Sequence, residues 1–279
     1  MEFVTRGIRL HYRRWWVEKA LGVVVISHGL GEHSGRYREL ARYLNQSGFS
    51  VYALDHYGHG QSDGKRGHID DFALYSEDLH QFIRLVRRDN PETGLHLLGH
   101  SMGGVIACGC AIRFDAIDSL ILSAPGFRGC KEPRGLELWL LQRLVKLVPR
   151  LTLPNRLNIR WISRDDAVVA AYRADELVHG RVSLQWFDSF LREREHLYTR
   201  LEQIRVPCLM LLPGGDRLVD AAASRVWFDR LGSGAKQLQV FPQAFHEVFN
   251  EVEEGARARE LLVRHLQSFL RMPEAAALS

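Results

Sequence analysis

No apolar run in the 279-residue sequence approaches the roughly 20 residues that a membrane-spanning helix needs. The longest compact runs, such as residues 23–26, suit buried strands. Charges at Glu2, Arg6 and Arg9 interrupt the N-terminus, so no secretory signal is expected and residence in the cytosol follows. Cysteine is scarce. Cys108, Cys110, Cys130 and Cys208 have neither zinc-type spacing nor a redox CxxC pair, and are expected to be buried free thiols. Runs of lysine and arginine interleaved with aromatics are also missing, which argues against a nucleic-acid partner despite a formal charge of +4. That excess is local: residues 128–206 hold 15 Lys+Arg against 10 Asp+Glu, a net of +5, while the remainder, 22 against 23, is −1. A basic segment of this kind suits an anionic lipid surface better than a nucleic acid. Internal repeats and low-complexity stretches are absent apart from a short tail over residues 273–279, expected to fray.

What is present is an ordinary globular composition, 46% hydrophobic and 25% charged, in a chain long enough for one large core with an insertion. After an expected hairpin ending near Ala20, residues 22–27 (GVVVIS) form a short, β-branched apolar run of the kind buried on both faces of a sheet. Helical spacing follows over residues 36–44 and 70–88, and strands are expected at 49–54, 95–98, 117–123, 206–212 and 238–241. Residues 105–112 are small and apolar enough for a buried helix. Strands alternating with helices predict an α/β fold with a mostly parallel sheet covered on both faces. The alternation stops between Pro125 and Pro207, so residues 128–205 are expected to form a helical cap inserted into a core made of 1–127 and 206–279.

Gly99-His100-Ser101-Met102-Gly103 matches the nucleophile elbow GxSxG, a strand-to-helix turn that exposes a serine hydroxyl. A second match, Gly60-Gln61-Ser62-Asp63-Gly64, has neither a strand entering it nor a helix leaving it, so context selects Ser101. A serine needs a base to take its proton. In such a sheet the partners follow in the order acid, then histidine, at strand ends. Of thirteen histidines only His246 lies between the last strand and the final helix, and Asp216 sits on the turn after residues 207–212. The rival position for the acid, after residues 117–123, offers no carboxylate before Glu132. The oxyanion donors expected beside Ser101 are the backbone N–H groups of Met102 and of Leu30, in the loop His28-Gly29-Leu30-Gly31.

These residues resemble the monoacylglycerol lipase and lysophospholipase branch of the α/β-hydrolases: HGLGEHSGRY at 28–37, DHYGHGQSDGKRG at 55–67, GHSMGG at 99–104, SRDDAVVAAYRADEL at 163–177, GGDRLVD at 214–220 and FHEVFNE at 245–251. The resemblance covers nearly the whole chain. It implies the α/β-hydrolase fold, hydrolysis of one acyl ester on a small alcohol, a lidded apolar channel, no metal or organic cofactor, and the triad Ser101, Asp216 and His246. It also implies head-group contacts near Glu32, Arg36 and Tyr172. Glu176 departs from the pattern, standing where relatives commonly have proline, and residues 128–160 resemble nothing specific, so the head group stays open between monoacylglycerol, lysophospholipid and acyl thioester. A binding module that kept this fold without chemistry is the alternative of another class. Within the cap, residues 136–148 (LELWLLQRLVKLV) read either as a helix packed over the site, at a dimer contact or in a monomer, or as one resting on anionic membrane with Arg143, Lys146 and Arg150 at the head groups.

Overall fold

The computed structural model describes residues 1–271; the tail expected to fray, 273–279, lies outside the described residues. Strands β1 (Glu2–Thr5) and β2 (Ile8–Trp15) form the N-terminal hairpin, turned by Arg6 and Gly7, both at positive φ, as a tight two-residue hairpin loop demands. Then come β3 (Gly22–Ser27), α1 (Arg38–Gln46), β4 (Phe49–Leu54), α2 (Ala73–Asp89), β5 (Leu95–His100), α3 (Met102–Arg113) and β6 (Ser119–Ser123). Helix α2 begins three residues later than its periodicity suggests. The Asp71 carboxylate accepts the Ala73 N–H at 3.0 Å, and this side-chain turn competes with helix until Ala73.

After β6 the chain leaves the sheet. The insertion carries α4 (Gly135–Leu147), β7 (Thr152–Pro154), α5 (Asp166–Ala174), β8 (Arg181–Ser183) and α6 (Leu184–Tyr198). The chain then returns to β9 (Cys208–Pro213), α7 (Ala221–Arg230), β10 (Lys236–Phe241) and α8 (Glu254–Ser268). The eight-stranded sheet runs β1-β2-β4-β3-β5-β6-β9-β10, parallel from β4 to β10, with the hairpin antiparallel at one edge. This is the α/β-hydrolase fold.

Alternation along the central strands explains the two covered faces. Val23 and Val25 pack with α2, α3 and α7, through Leu79, Phe82, Val105 and Trp227, while Val24 and Ile26 pack with α1 and α8, through Leu44, Leu262 and Leu266. Every residue of β3, β4, β5, β6 and β9 is buried. Fully burying one such side chain contributes about 1.5–3 kcal/mol, so this sheet is the stable frame from which the site is built.

The insertion differs from expectation in two respects. It is not wholly helical: β7 and β8 pair antiparallel, Leu153 opposite Val182, in strands too short to show a period. Moreover, α4 buries none of its residues: it borders the cavity through Glu137 and Leu141 without being enclosed by the protein. Leu136, Leu140, Leu144 and Leu147 share one face of α4, and Leu136 and Leu147 are 71% and 77% exposed. Cys130 is a further correction. Unlike Cys108, Cys110 and Cys208 it is exposed, because the bond from its N–H to Leu218 O (2.9 Å) holds its stretch of chain along the rim of a cavity.

Candidate active site

Ser101 sits between β5 and α3 with φ 52° and ψ −120°, a strained conformation for a residue with a side chain. Its backbone is pinned: its N–H donates to Ser123 O at 3.1 Å, and its carbonyl accepts the N–H groups of Gly104 (2.9 Å) and Gly126 (2.8 Å). Two residues on, a Cβ at Gly103 would lie 2.0 Å from Ser27 O, so the second glycine of the elbow lets α3 close on β3.

His246 follows β10, and its Nδ1 lies 2.7 Å from Asp216 Oδ2, past the end of β9. The other carboxylate oxygen accepts the N–H groups of Leu218 (2.8 Å) and Val219 (3.0 Å). A carboxylate facing Nδ1 fixes the proton there and leaves Nε2 as the basic nitrogen. Burial works against the charged imidazolium, but Asp216, then Glu247 and Glu32, outweigh it and raise the His246 pKa. Burial likewise works against the Asp216 carboxylate, but His246 and the two backbone N–H groups hold its pKa below the ordinary value. The His246 ring lies beside that of His100, centroids 4.9 Å apart and planes tilted by 55°, and His100 immediately precedes Ser101. Among the described residues the Ser101 hydroxyl hydrogen-bonds to no side chain; such bonds are often long in unliganded sites and tighten on substrate.

Ser101, His246, Leu30 and Met102 line one cavity of about 880 Å³. Met102 is the first residue of α3, so its N–H has no acceptor within the helix and is available beside Ser101. The cavity wall runs from polar groups at Glu32, Tyr172 and Glu247 to an apolar stretch at Leu153, Leu157, Trp186, Phe187 and Phe190. Of the three residues associated with head-group contact, Glu32 and Tyr172 line this cavity; Arg36 is set behind them, its guanidinium 4.5 Å over the Tyr172 ring and held between Glu32 and Glu247. Glu247 was not singled out from the sequence, although it immediately follows His246 in the FHEVFNE motif. The second GxSxG serine has another task. Ser62 Oγ donates to Asp55 O at 2.5 Å and accepts the His11 N–H at 2.8 Å, well inside the loop.

Residues 18–253 match the family described as Hydrolase_4, serine aminopeptidase S33. The chain belongs to that family. The enzyme is a serine ester hydrolase of the monoacylglycerol lipase-like kind. It is 36% identical over 251 residues, 89% of each chain, to a monoacylglycerol lipase of Mycolicibacterium smegmatis. It is 33% identical to a Bacillus subtilis phospholipase, covering 86% of this chain and 93% of that one. The crystal structure of a monoacylglycerol lipase from Paleococcus ferrophilus superposes with a TM-score of 0.83 at 33% identity, over 93% of this chain and 98% of the other. Among the described residues of the hydrolase no helix is long and apolar enough to cross a membrane, and no group of side chains is arranged to hold a metal ion.

Proposed function

We propose that this hydrolase cleaves the acyl ester of monoacylglycerol-type lipids through an acyl-enzyme on Ser101. The carrying observation is the His246–Asp216 hydrogen bond of 2.7 Å at the wall of the cavity onto which the strained Ser101 opens. His246 Nε2 takes the hydroxyl proton as Ser101 Oγ attacks the ester carbonyl. The N–H groups of Leu30 and Met102 stabilise the resulting oxyanion, an interaction whose loss typically costs about 100-fold to 1000-fold. Asp216 holds the imidazole and stabilises the imidazolium without taking the proton. The imidazolium then gives its proton to the departing glycerol oxygen, and water, deprotonated by the same nitrogen, releases the fatty acid and regenerates Ser101.

Residues 128–205 are read as a cap over this site, and the exposed face of α4 as its lipid-docking surface. Supporting this, Glu137 and Leu141 of the same helix line the cavity, and Arg143, Lys146 and Arg150 lie close in sequence to the exposed leucines. A monoacyl lipid could thus pass from a membrane to Ser101 with little exposure of its chain to water. A lysophospholipid is the competing substrate, favoured by the relative named as a phospholipase.

A fluorophosphonate probe tests the nucleophile: labelling of the wild type that is lost in Ser101→Ala and kept in Ser62→Ala is expected, with release of fatty acid from monoacylglycerol by the wild type. Unlabelled wild type would favour the binding-module alternative and sink the proposal.

A further inference from the structure

Two acidic residues line the cavity that holds Ser101 and His246. Glu32 and Glu247 are 4% and 7% exposed, and both line the wall shared with Ser101 and His246. Only a glycine stands between Glu32 and the nucleophile: a Cβ at Gly29 would lie 2.9 Å from Glu32 Oε1 and 3.2 Å from the Ser101 Cβ. Glu247 is the neighbour of the catalytic histidine in the chain.

One guanidinium serves both. Arg36 Nη1 donates to Glu32 Oε2 at 2.8 Å and to Glu247 Oε1 at 2.5 Å, and Nη2 donates to Glu247 Oε2 at 2.8 Å. The remaining partners are neutral: the Gly29 N–H (2.6 Å) and the Tyr37 hydroxyl (2.8 Å) on Glu32, and the Asn250 amide (2.8 Å) on Glu247. Burial alone would lift the Glu32 carboxyl, but Arg36 and the nearby donors hold it below the ordinary carboxylate range, so it stays ionised. Other groups around the cluster add no net positive charge: His246, whose pKa is raised, is paired with the Asp216 carboxylate, and the rest are neutral near neutrality. Burial pushes His100 down to about 4 and lowers His28, and it raises Tyr172, which stays a neutral phenol. The cluster therefore carries one negative charge in excess. The cationic wall residues Lys131, Arg134, Arg156 and Arg217 are exposed, while the two carboxylates are buried.

We infer that Glu247, with Glu32, selects the leaving alcohol by charge: the site accepts acyl esters of uncharged alcohols and excludes those whose alcohol carries a phosphate near the ester. The inference rests on the proposed ester hydrolysis at Ser101 and deepens it. A phosphate delivered to the alcohol end would meet unneutralised negative charge where the effective permittivity is low, and close like charges there repel far more than in water. An uncharged glycerol meets no such barrier and can bond to the carboxylate oxygens. Glu247 is the informative position because among the described residues its carboxylate bonds only to side chains, those of Arg36 and Asn250, whereas Glu32 also fixes the backbone of the oxyanion loop at Gly29.

The test compares kcat/KM for a short-chain 1-acylglycerol and the matching 1-acylglycerol 3-phosphate, both monomeric in solution, in the wild type, Glu247→Gln and Glu247→Asp. The wild type should prefer the uncharged ester by about 100-fold or more, and Glu247→Gln should cut that ratio at least about tenfold, as expected for removing one charge in a poorly screened site. Glu247→Asp, which keeps the charge, should keep the ratio. A wild type without preference, or a Glu247→Gln ratio equal to that of the wild type because both rates fall together, overturns the inference and leaves the ester hydrolysis standing. A wild type that takes the fluorophosphonate label yet hydrolyses neither ester overturns the acylglycerol reading and the inference with it.

Discussion

The sheet core and the insertion treat apolar residues in opposite ways. In the core, Val23 to Ile26, Leu97, Leu98 and Leu209 to Leu211 are fully enclosed; β5 runs into Ser101 and β9 into the turn of Asp216, while His246 follows β10 beside them. In the insertion, the leucines of α4 stand in solvent on one face of a helix that buries none of its residues. The core uses its apolar residues for rigidity, which the proposed chemistry needs if its groups are to be held to a fraction of an ångström. The insertion displays them, which has a use only where something apolar meets that face. The two regions are nevertheless joined at the chemistry: the His246 N–H donates to Trp161 O (3.4 Å), the Glu247 N–H to Ile162 O (2.7 Å), and Arg164 binds Glu251 at 2.9 Å.

If the core is the chemical half, the largest effects must come from its strand ends. Ser101→Ala should lower kcat by at least about 10⁴-fold on a small soluble ester with the fold intact by circular dichroism, since loss of a nucleophile leaves only binding and oxyanion stabilisation. Asp216→Asn should cost about 10⁴-fold by the same assay, through loss of the correct tautomer. Because Asp216 raises the His246 pKa, the acid limb of kcat/KM in the wild type should lie above the ordinary histidine value of about 6.5 and move to lower pH in this variant. An unmoved limb would assign it to another group.

The insertion should fail differently. Leu136→Glu with Leu147→Glu should weaken co-sedimentation with anionic vesicles at least about tenfold, the equivalent of losing one buried leucine, while hydrolysis of a soluble ester is preserved. Equal vesicle binding by variant and wild type would remove the membrane from the proposal, and a concentration-dependent dimer lost in the variant would make α4 a contact between copies of the chain. The smallest effects belong to buried polar groups of the core. Ser62→Ala should cost about 1–3 kcal/mol in chemical denaturation with turnover retained by the folded fraction.

Acid should also separate structure from chemistry. Burial pushes His96, His100 and His265 down to about 4, so the folded protein binds fewer protons than the unfolded chain below the ordinary histidine value. Their stabilisation is fully present above about pH 6.5 and is lost as pH falls towards 4, at up to about 1.4 kcal/mol per pH unit for each group. The denaturation midpoint should therefore drop between pH 7.5 and 5; a flat profile would show that these rings are not buried as described.

How far the sequence could be read follows the same division. Central strands such as residues 22–27 announce themselves because burial on both faces leaves an almost unbroken apolar run, and the order of those strands singled out His246 and Asp216 as the expected partners for Ser101. Context also distinguished Ser101 from Ser62, for only one of the two motifs joins a strand to a helix. The insertion was less legible. Three-residue strands such as β7 and β8 show no period, and an apolar helix reads alike whether a protein or a lipid is to cover it. Arg36 shows a different limit: the family resemblance placed it near the head-group end, whereas its setting between two carboxylates depends on a contact with Glu247, 211 residues away in the chain.

Reaction of the wild type with an activated acyl ester, quenched in acid within milliseconds and mapped by peptide mass spectrometry, tests the central assignment most directly. Expected is a mass increase equal to the acyl group on the peptide containing Ser101, formed ahead of steady-state turnover and absent in Ser101→Ala. Turnover with the acyl group on another residue, or an adduct that persists in Ser101→Ala, would contradict it.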